Sequence, residues 1–87
     1  MNTFTIQQDI TVKTAQAILN ETSTRIASSE IKEIDFKNVK NVDSAAMALL
    51  IEWKKLNNKI QFANLPNQLK NLLKISNAKE IIKPKKL

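Results

Sequence analysis

The chain contains no glycine among its 87 residues, and this absence constrains its turns more than any other feature. Glycine reaches left-handed backbone conformations without steric cost, so every tight turn here must use Asn, Asp, Ser or Pro instead. The P-loop and the dinucleotide-binding fingerprint both need glycine where the backbone approaches phosphate. We therefore exclude enzymes that bind nucleotides through either motif.

Cysteine and histidine are absent as well. The chain therefore has no disulfide, no thiolate nucleophile, no usual zinc site and no histidine-based catalytic triad. The candidate carboxylates for acid–base chemistry are Asp9, Asp35, Asp43 and Glu52, but none has a supporting base or a metal-ligand spacing. We expect a protein that is not an enzyme and uses no metal or cofactor, with these carboxylates as caps or solvated groups.

The length predicts a single domain over residues 1–87. A hydrophobic content of 43% is enough for a packed core. The first nine residues lack the basic and apolar regions of a signal peptide. The longest apolar run, residues 45–51, is far too short to span a membrane. These features predict a soluble, cytoplasmic protein.

The net charge of +6 is concentrated in the second half of the chain. Residues 1–44 contain five basic and six acidic side chains, whereas residues 45–87 contain nine and two. A basic half is typical of proteins that bind nucleic acid, anionic membranes or acidic partners, and it also fits the codon bias of an AT-rich gene. The lysines do not alternate with aromatic residues as in a stacking platform, so we expect no nucleic-acid partner. Contact of the basic half with lipid stays open.

Along the chain, segments in which every second residue is apolar, which is typical of strands, alternate with segments in which apolar residues recur every 3.6 residues, which is typical of helices. The predicted strands are residues 3–8, 31–36 and 59–63. The predicted helices are residues 13–27, 44–57 and 66–75. Thr11 is the expected N-cap of the first helix. Asn57 and Asn58 are the residues available to stop the second helix, in the role that glycine usually takes.

Short connections between alternating strands and helices predict right-handed crossovers and a mostly parallel sheet, hence an α/β fold. Sites in such sheets lie at the carboxyl ends of the strands. The loop over residues 38–43 follows the second strand and leads into the second helix. We therefore expect the functional site at this loop.

Asp43 and Ser44 stand where the second helix begins. Either residue can cap the helix by accepting a hydrogen bond from a free backbone N–H, which stabilises a helix by about 1 kcal/mol. Alternatively, Ser44 faces a partner protein, as a hydrogen-bonding group or as a phosphorylation site. The pattern alone does not separate these interpretations.

The second helix has more apolar surface than packing on a sheet requires, since a stripe of about 100° is enough. Leu50 can fill that stripe with Met47, or with Ala46, Leu49 and Trp53. Either set leaves small or apolar side chains outward, which is typical of a protein contact. Trp53 is then either a core residue or an interface anchor. The residues predicted to contact a partner are Ser44, Asp43, Ala45, Met47, Ala48, Ile51 and Glu52.

The sequence from residue 34 to residue 51 resembles the STAS domain family. In that family a strand is followed by an Asp-Ser or Asp-Thr step that opens a helix. The corresponding segments here are I-D-F at 34–36, V-D-S at 42–44 and A-A-M-A-L-L-I at 45–51. The order of elements also agrees over residues 3–82. Two features differ: Ala46 stands where the family often has glycine, and the usual N-terminal hairpin is reduced to one strand.

The resemblance implies a mixed, mostly parallel sheet of about four strands with three or four helices. It also implies partner binding through the Asp-Ser loop and its helix. The short form is most similar to STAS subunits that contact the ATPase of phospholipid-transporting ABC complexes, which sit at the inner membrane with a permease. In anti-sigma factor antagonists the equivalent serine is a phosphorylation switch for a kinase, which is the alternative role for Ser44.

Overall fold

A computed structural model describes residues 2–75, in which three strands alternate with three helices. The elements are β1 (Thr3–Thr5), α1 (Ala15–Ala27), β2 (Glu33–Asp35), α2 (Ser44–Leu56), β3 (Gln61–Ala63) and α3 (Asn67–Ile75). The strands form one parallel sheet in the order β1-β2-β3, which confirms the predicted α/β class.

The sheet is smaller and more uniform than expected. Between residues 2 and 75 the sheet has three strands, all parallel, and the three helices are within the expected number of three or four. The expected mixed sheet of about four strands is not seen in this part of the chain. None of the helices in the same range is long and apolar enough to cross a membrane. The basic, isoleucine-containing tail over residues 78–87 lies outside the described residues.

The helices lie on one face of the sheet. Right-handed crossovers between neighbouring parallel strands place α1 and α2 on the same side. α2 packs against both α1 and α3. Phe4, Ile34 and Phe62 lie side by side across the strands and pack into the core. Apart from Ala63, the alternate positions on the other face are polar, and there the Thr3 hydroxyl donates a hydrogen bond to the Glu33 carboxylate at 2.9 Å.

Trp53 lies at the centre of the core. It is fully buried, and its indole Nε1 donates to the Thr22 hydroxyl at 2.8 Å. That hydroxyl in turn donates to the Ile18 carbonyl oxygen at 2.9 Å, so the polar atoms of both side chains are satisfied. Among the described residues of α2, the buried ones are Ala46, Leu49, Leu50 and Trp53. The second of the two packing predictions is therefore correct, and the interpretation of Trp53 as an interface anchor is wrong.

The turns use the substitutes for glycine that the composition requires. Ser29, with φ of 69°, and Asn64, with φ of 57°, both occupy the left-handed region. α2 ends at Leu56, next to the predicted Asn57, but Asn57 is extended and not left-handed. Its side-chain amide instead donates to the Ile26 carbonyl oxygen at the end of α1, at 3.3 Å. Asn57 is the C-cap of α2, as predicted, and its backbone N–H donates to the Trp53 carbonyl oxygen at 3.0 Å; the side-chain contact with α1 is additional.

Two details of the helices differ from the sequence prediction. α1 begins at Ala15 with Thr14 as its N-cap, so the predicted cap Thr11 lies three residues too early. The Thr11 carbonyl oxygen accepts from the backbone N–H groups of Thr14 at 3.0 Å and of Ala15 at 2.9 Å, and the turn that begins at Thr11 therefore leads directly into α1. For α3 the sequence pattern predicts that Leu69, Leu72, Leu73 and Ile75 face inward. Leu69 and Leu73 are buried and Leu72 is half-buried, whereas Ile75 is 83% exposed. Ile75 follows Leu73 by about 200° around the helix, which turns it away from the core stripe.

Candidate functional site

Ser44 is the first residue of α2, at the edge of the sheet where the strands end. Its side chain is exposed, and its hydroxyl makes no hydrogen bond to any group within residues 2–75. Asp43 is the N-cap, and its Oδ1 accepts from the backbone N–H of Ala45 at 2.8 Å. Since Asp43 caps the helix, the Ser44 hydroxyl is available to other groups.

The loop before Ser44 is held by the segment that follows β1. The second carboxylate oxygen of Asp43 accepts from the backbone N–H of Val12 at 3.1 Å. In the other direction, Asp9 Oδ1 accepts from the backbone N–H of Lys40 at 3.2 Å and of Asn41 at 3.1 Å. These bonds join residues about thirty positions apart and fix the loop without regular secondary structure.

Two carboxylates near this edge have a lowered pKa. The backbone N–H and the side-chain amide of Asn41, with the backbone N–H of Lys40, lower the pKa of Asp9. The side-chain amide of Asn64 and the backbone N–H of Lys37 lower the pKa of Asp35. A general base working near neutral pH needs a raised pKa. Both carboxylates therefore act as backbone anchors in this arrangement.

The lowered pKa values of Asp9 and Asp35 predict a loss of stability in acid. A carboxylate with a lower pKa in the folded state stabilises the fold above the pKa of the unfolded chain, about 3.9, and this contribution disappears as pH falls through the folded-state pKa. We expect the free energy of unfolding, measured by urea titration of Trp53 fluorescence, to fall between about pH 5 and pH 2. The fall should be smaller in the double variant Asp9→Asn, Asp35→Asn. Equal pH dependence in both proteins would contradict this assignment.

The outward side of α2 carries three of the predicted contact residues. Ser44, Ala48 and Glu52 are exposed and follow one another at intervals of four, so they form one stripe along the helix. Glu52 forms an ion pair with Lys55 at 3.6 Å. Ile51 is half-buried beside this stripe.

The other predicted contact residues are less available. Ala45, Met47 and Asp43 are half-buried, and Met47 packs against the core. Ala46, whose place is often taken by glycine in the STAS domains that the sequence resembles, is 1% exposed and lies in the core. Its Cβ is therefore directed away from any partner that approaches the Ser44 stripe.

A groove separates the start of α2 from α3. Its volume is about 300 Å³, and its lining includes Ser44, Val42, Leu72 and Ile75. The Gln68 side chain closes one end, where its Oε1 accepts from the backbone N–H of Val42 at 3.3 Å. Ser44 thus belongs to the outward stripe of α2 and also lines the groove.

Two exposed apolar residues, which the sequence pattern did not identify, flank Ser44. Ile75 lines the groove, and Val12 adjoins Asp43 through its backbone N–H. They are 83% and 76% exposed, the largest values among the large hydrophobic residues described. We refer to Val12, Ser44, Ala48, Glu52 and Ile75 as the Ser44 surface. The one sequence signal for Val12 was an apolar residue in an otherwise polar turn.

A larger open cleft of about 470 Å³ lies elsewhere, where α1 and α2 end. Its lining includes Lys54, Lys55 and Lys59, but Lys54 already donates to the carbonyl oxygens of Asn58 and Ile60, both at 3.1 Å. The C-terminal ends of helices carry partial negative charge, which disfavours anions. The cleft is therefore a weaker candidate site than the Ser44 surface.

Comparison with known protein families finds no family that matches the chain, and comparison with curated proteins finds no match either. Within residues 2–75, no group of three or more acidic side chains is arranged to hold a metal ion. The Ser44 surface offers an unpaired hydroxyl, a methyl group and two exposed branched apolar side chains on a fixed backbone.

Proposed function

We propose that the protein is a non-catalytic accessory subunit that binds the ATPase subunit of a phospholipid-transporting ABC complex through the Ser44 surface. The observation that carries this proposal is the exposed, unpaired Ser44 hydroxyl among exposed apolar side chains. The STAS resemblance supplies the class of partner: the chain is MlaB-like and its partner a MlaF-like ATPase. Such a subunit is cytoplasmic and peripheral to the inner membrane through the permease of its complex.

The energetics of the Ser44 surface favour association. Burying the side chain of Val12 or of Ile75 in an interface contributes about 1.5–3 kcal/mol each relative to water. Ala48, with only a methyl group, lets a partner helix approach α2 closely. Because the backbone around Ser44 is fixed by Asp9 and Asp43, little conformational entropy is lost on binding.

The substitution Ser44→Glu tests this proposal. A carboxylate at the first position of a helix is compatible with folding because of the helix dipole, but its desolvation opposes a protein contact. When the variant is co-expressed with the transporter ATPase from the same organism, we expect co-purification to be lost. Thr24→Glu, a substitution at an exposed hydroxyl position on α1, should retain it. Normal recovery of the ATPase with Ser44→Glu would refute the proposed interface.

A second candidate function is that of an anti-sigma factor antagonist switched by phosphorylation of Ser44. The accessibility of the hydroxyl favours it, because a kinase must reach this oxygen. Phosphate would add nearly two negative charges beside Asp43 and weaken an apolar contact. Mass spectrometry after incubation with the cognate anti-sigma kinase separates the two functions, since the antagonist requires a phosphorylated Ser44 and the transporter subunit does not.

A further inference from the structure

Two carboxylates join the segment after β1 to the loop before α2, and they point in opposite directions. Asp9 lies in the segment and accepts from the backbone of the loop, where its Oδ2 also accepts from the side-chain amide of Asn41 at 3.3 Å. Asp43 lies in the loop and accepts from the backbone of the segment at Val12. Each strand-like segment is therefore held by a side chain of the other.

Backbone bonds lie between the two carboxylates. Ile10 and Val42 form a parallel bridge, in which the Ile10 N–H donates to the Asn41 carbonyl and the Asp43 N–H donates to the Ile10 carbonyl, both at 3.1 Å. Ile10 is fully buried, so its side chain anchors the bridge in the core. The backbone bonds of Ile10 thus lie between the carboxylate bonds of Asp9 and Asp43, and the whole set extends from Lys40 to the start of α2.

Asp43 must make two bonds at once for the Ser44 surface to have its shape. Its Oδ1 binds the backbone N–H of Ala45 and its Oδ2 binds that of Val12. This double contact places Val12 beside the first turn of α2. It requires that the loop backbone stay in register with residues 9–12. Lys40 and Asn41 in this loop are exposed, so their own side chains do not anchor the loop in the core.

We infer that Asp9 is a positioning residue for the Ser44 surface, and that it holds the loop in the register in which Asp43 binds Val12 and Ala45 together. The consequence of this role of Asp9 for partner binding rests on the proposed function, whereas the effect of Asp9 on the loop backbone does not. Asp9 accepts charge-assisted hydrogen bonds from two successive backbone N–H groups of the loop, and such bonds are stronger than those that a neutral side chain would form.

Amide hydrogen exchange measured by NMR on the full-length free protein tests this inference. In Asp9→Ala we expect exchange of the Val12 and Ala45 amides, neither of which touches Asp9, to accelerate about fivefold or more, the lower end of typical coupling between sites. The matched control is Asp35→Ala, which also removes a carboxylate bonded to one backbone N–H and one asparagine amide. It should leave both amides unchanged.

The variant Asp9→Asn retains one acceptor oxygen and should show a smaller acceleration, so it decides the question even if Asp9→Ala does not fold. Acceleration confined to Lys40 and Asn41, or equal acceleration in Asp35→Ala, would overturn the inference. Since no partner is present, this result is independent of the proposed function, which fails separately if the wild-type protein does not bind the ATPase.

Discussion

The substitution Ala48→Arg is expected to lower affinity for the transporter ATPase at least about hundredfold, which corresponds to about 2.7 kcal/mol of binding free energy. Ala48 is exposed at the middle of the stripe between Ser44 and Glu52. A partner that covers this stripe would meet a long charged side chain where the wild-type protein has a methyl group. Glu52 lies one turn further along the helix and can pair with the introduced guanidinium, but covering both groups removes them from water, and the bulk of the arginine blocks close approach. Arginine is a good helix former, so α2 itself should be preserved.

A matched control separates this effect from a general effect of added charge. Ala17 is an exposed alanine on α1 that does not belong to the Ser44 surface, and Ala17→Arg adds the same side chain to a helix. Isothermal titration with the purified ATPase subunit should give the wild-type dissociation constant for Ala17→Arg. Equal affinities for both variants would show that the partner does not cover α2.

The substitution Trp53→Ala is expected to reduce the free energy of unfolding by about 3–5 kcal/mol, the usual cost of truncating a buried aromatic residue. Trp53 is fully buried, and its ring lies 6.2 Å from that of Phe36 and 6.0 Å from that of Phe62. The truncation also removes the indole donor to Thr22. For a domain of this size, such a loss is a large part of the total stability, about 5–15 kcal/mol.

Urea unfolding followed by far-ultraviolet circular dichroism measures this loss without a tryptophan signal. The control variant Trp53→Phe keeps an aromatic ring in the core and should be destabilised much less. A change below about 1 kcal/mol in Trp53→Ala, within the range of ordinary surface substitutions, would contradict the central position of Trp53 in the core.

The strands and helices could be predicted from the sequence because each of them shows its own spacing of apolar residues. Alternation of strand and helix periods was sufficient for a parallel α/β sheet, and the apolar set Ala46, Leu49, Leu50 and Trp53 was one of the two predicted core faces of α2. The conformation of Asn57 could not be predicted, because its side chain bonds to Ile26, a residue distant in sequence. The number of strands was taken from the family resemblance and not from a pattern in the chain.

The candidate site was only partly accessible to sequence reasoning. The exposure of Ser44 and Ala48 follows from helical spacing once the buried face is known. Val12 and Ile75 were missed, because their exposure depends on how a turn and a helix end are rotated relative to α2. The bond from Asn41 to Asp9 was equally hidden, since nothing local pairs an aspartate with a backbone amide 32 residues away.

The absence of cysteine in the chain allows the most direct test of the Ser44 surface. Ala48→Cys introduces a single thiol on the outward stripe, and Gln61→Cys introduces one at an exposed position on the open face of the sheet. The rate of maleimide labelling is then measured with and without the transporter ATPase at about ten times its dissociation constant. We predict that the ATPase slows labelling about tenfold in Ala48→Cys and not in Gln61→Cys. Unchanged labelling of Ala48→Cys in the presence of bound ATPase would contradict the assignment of the Ser44 surface as the docking site.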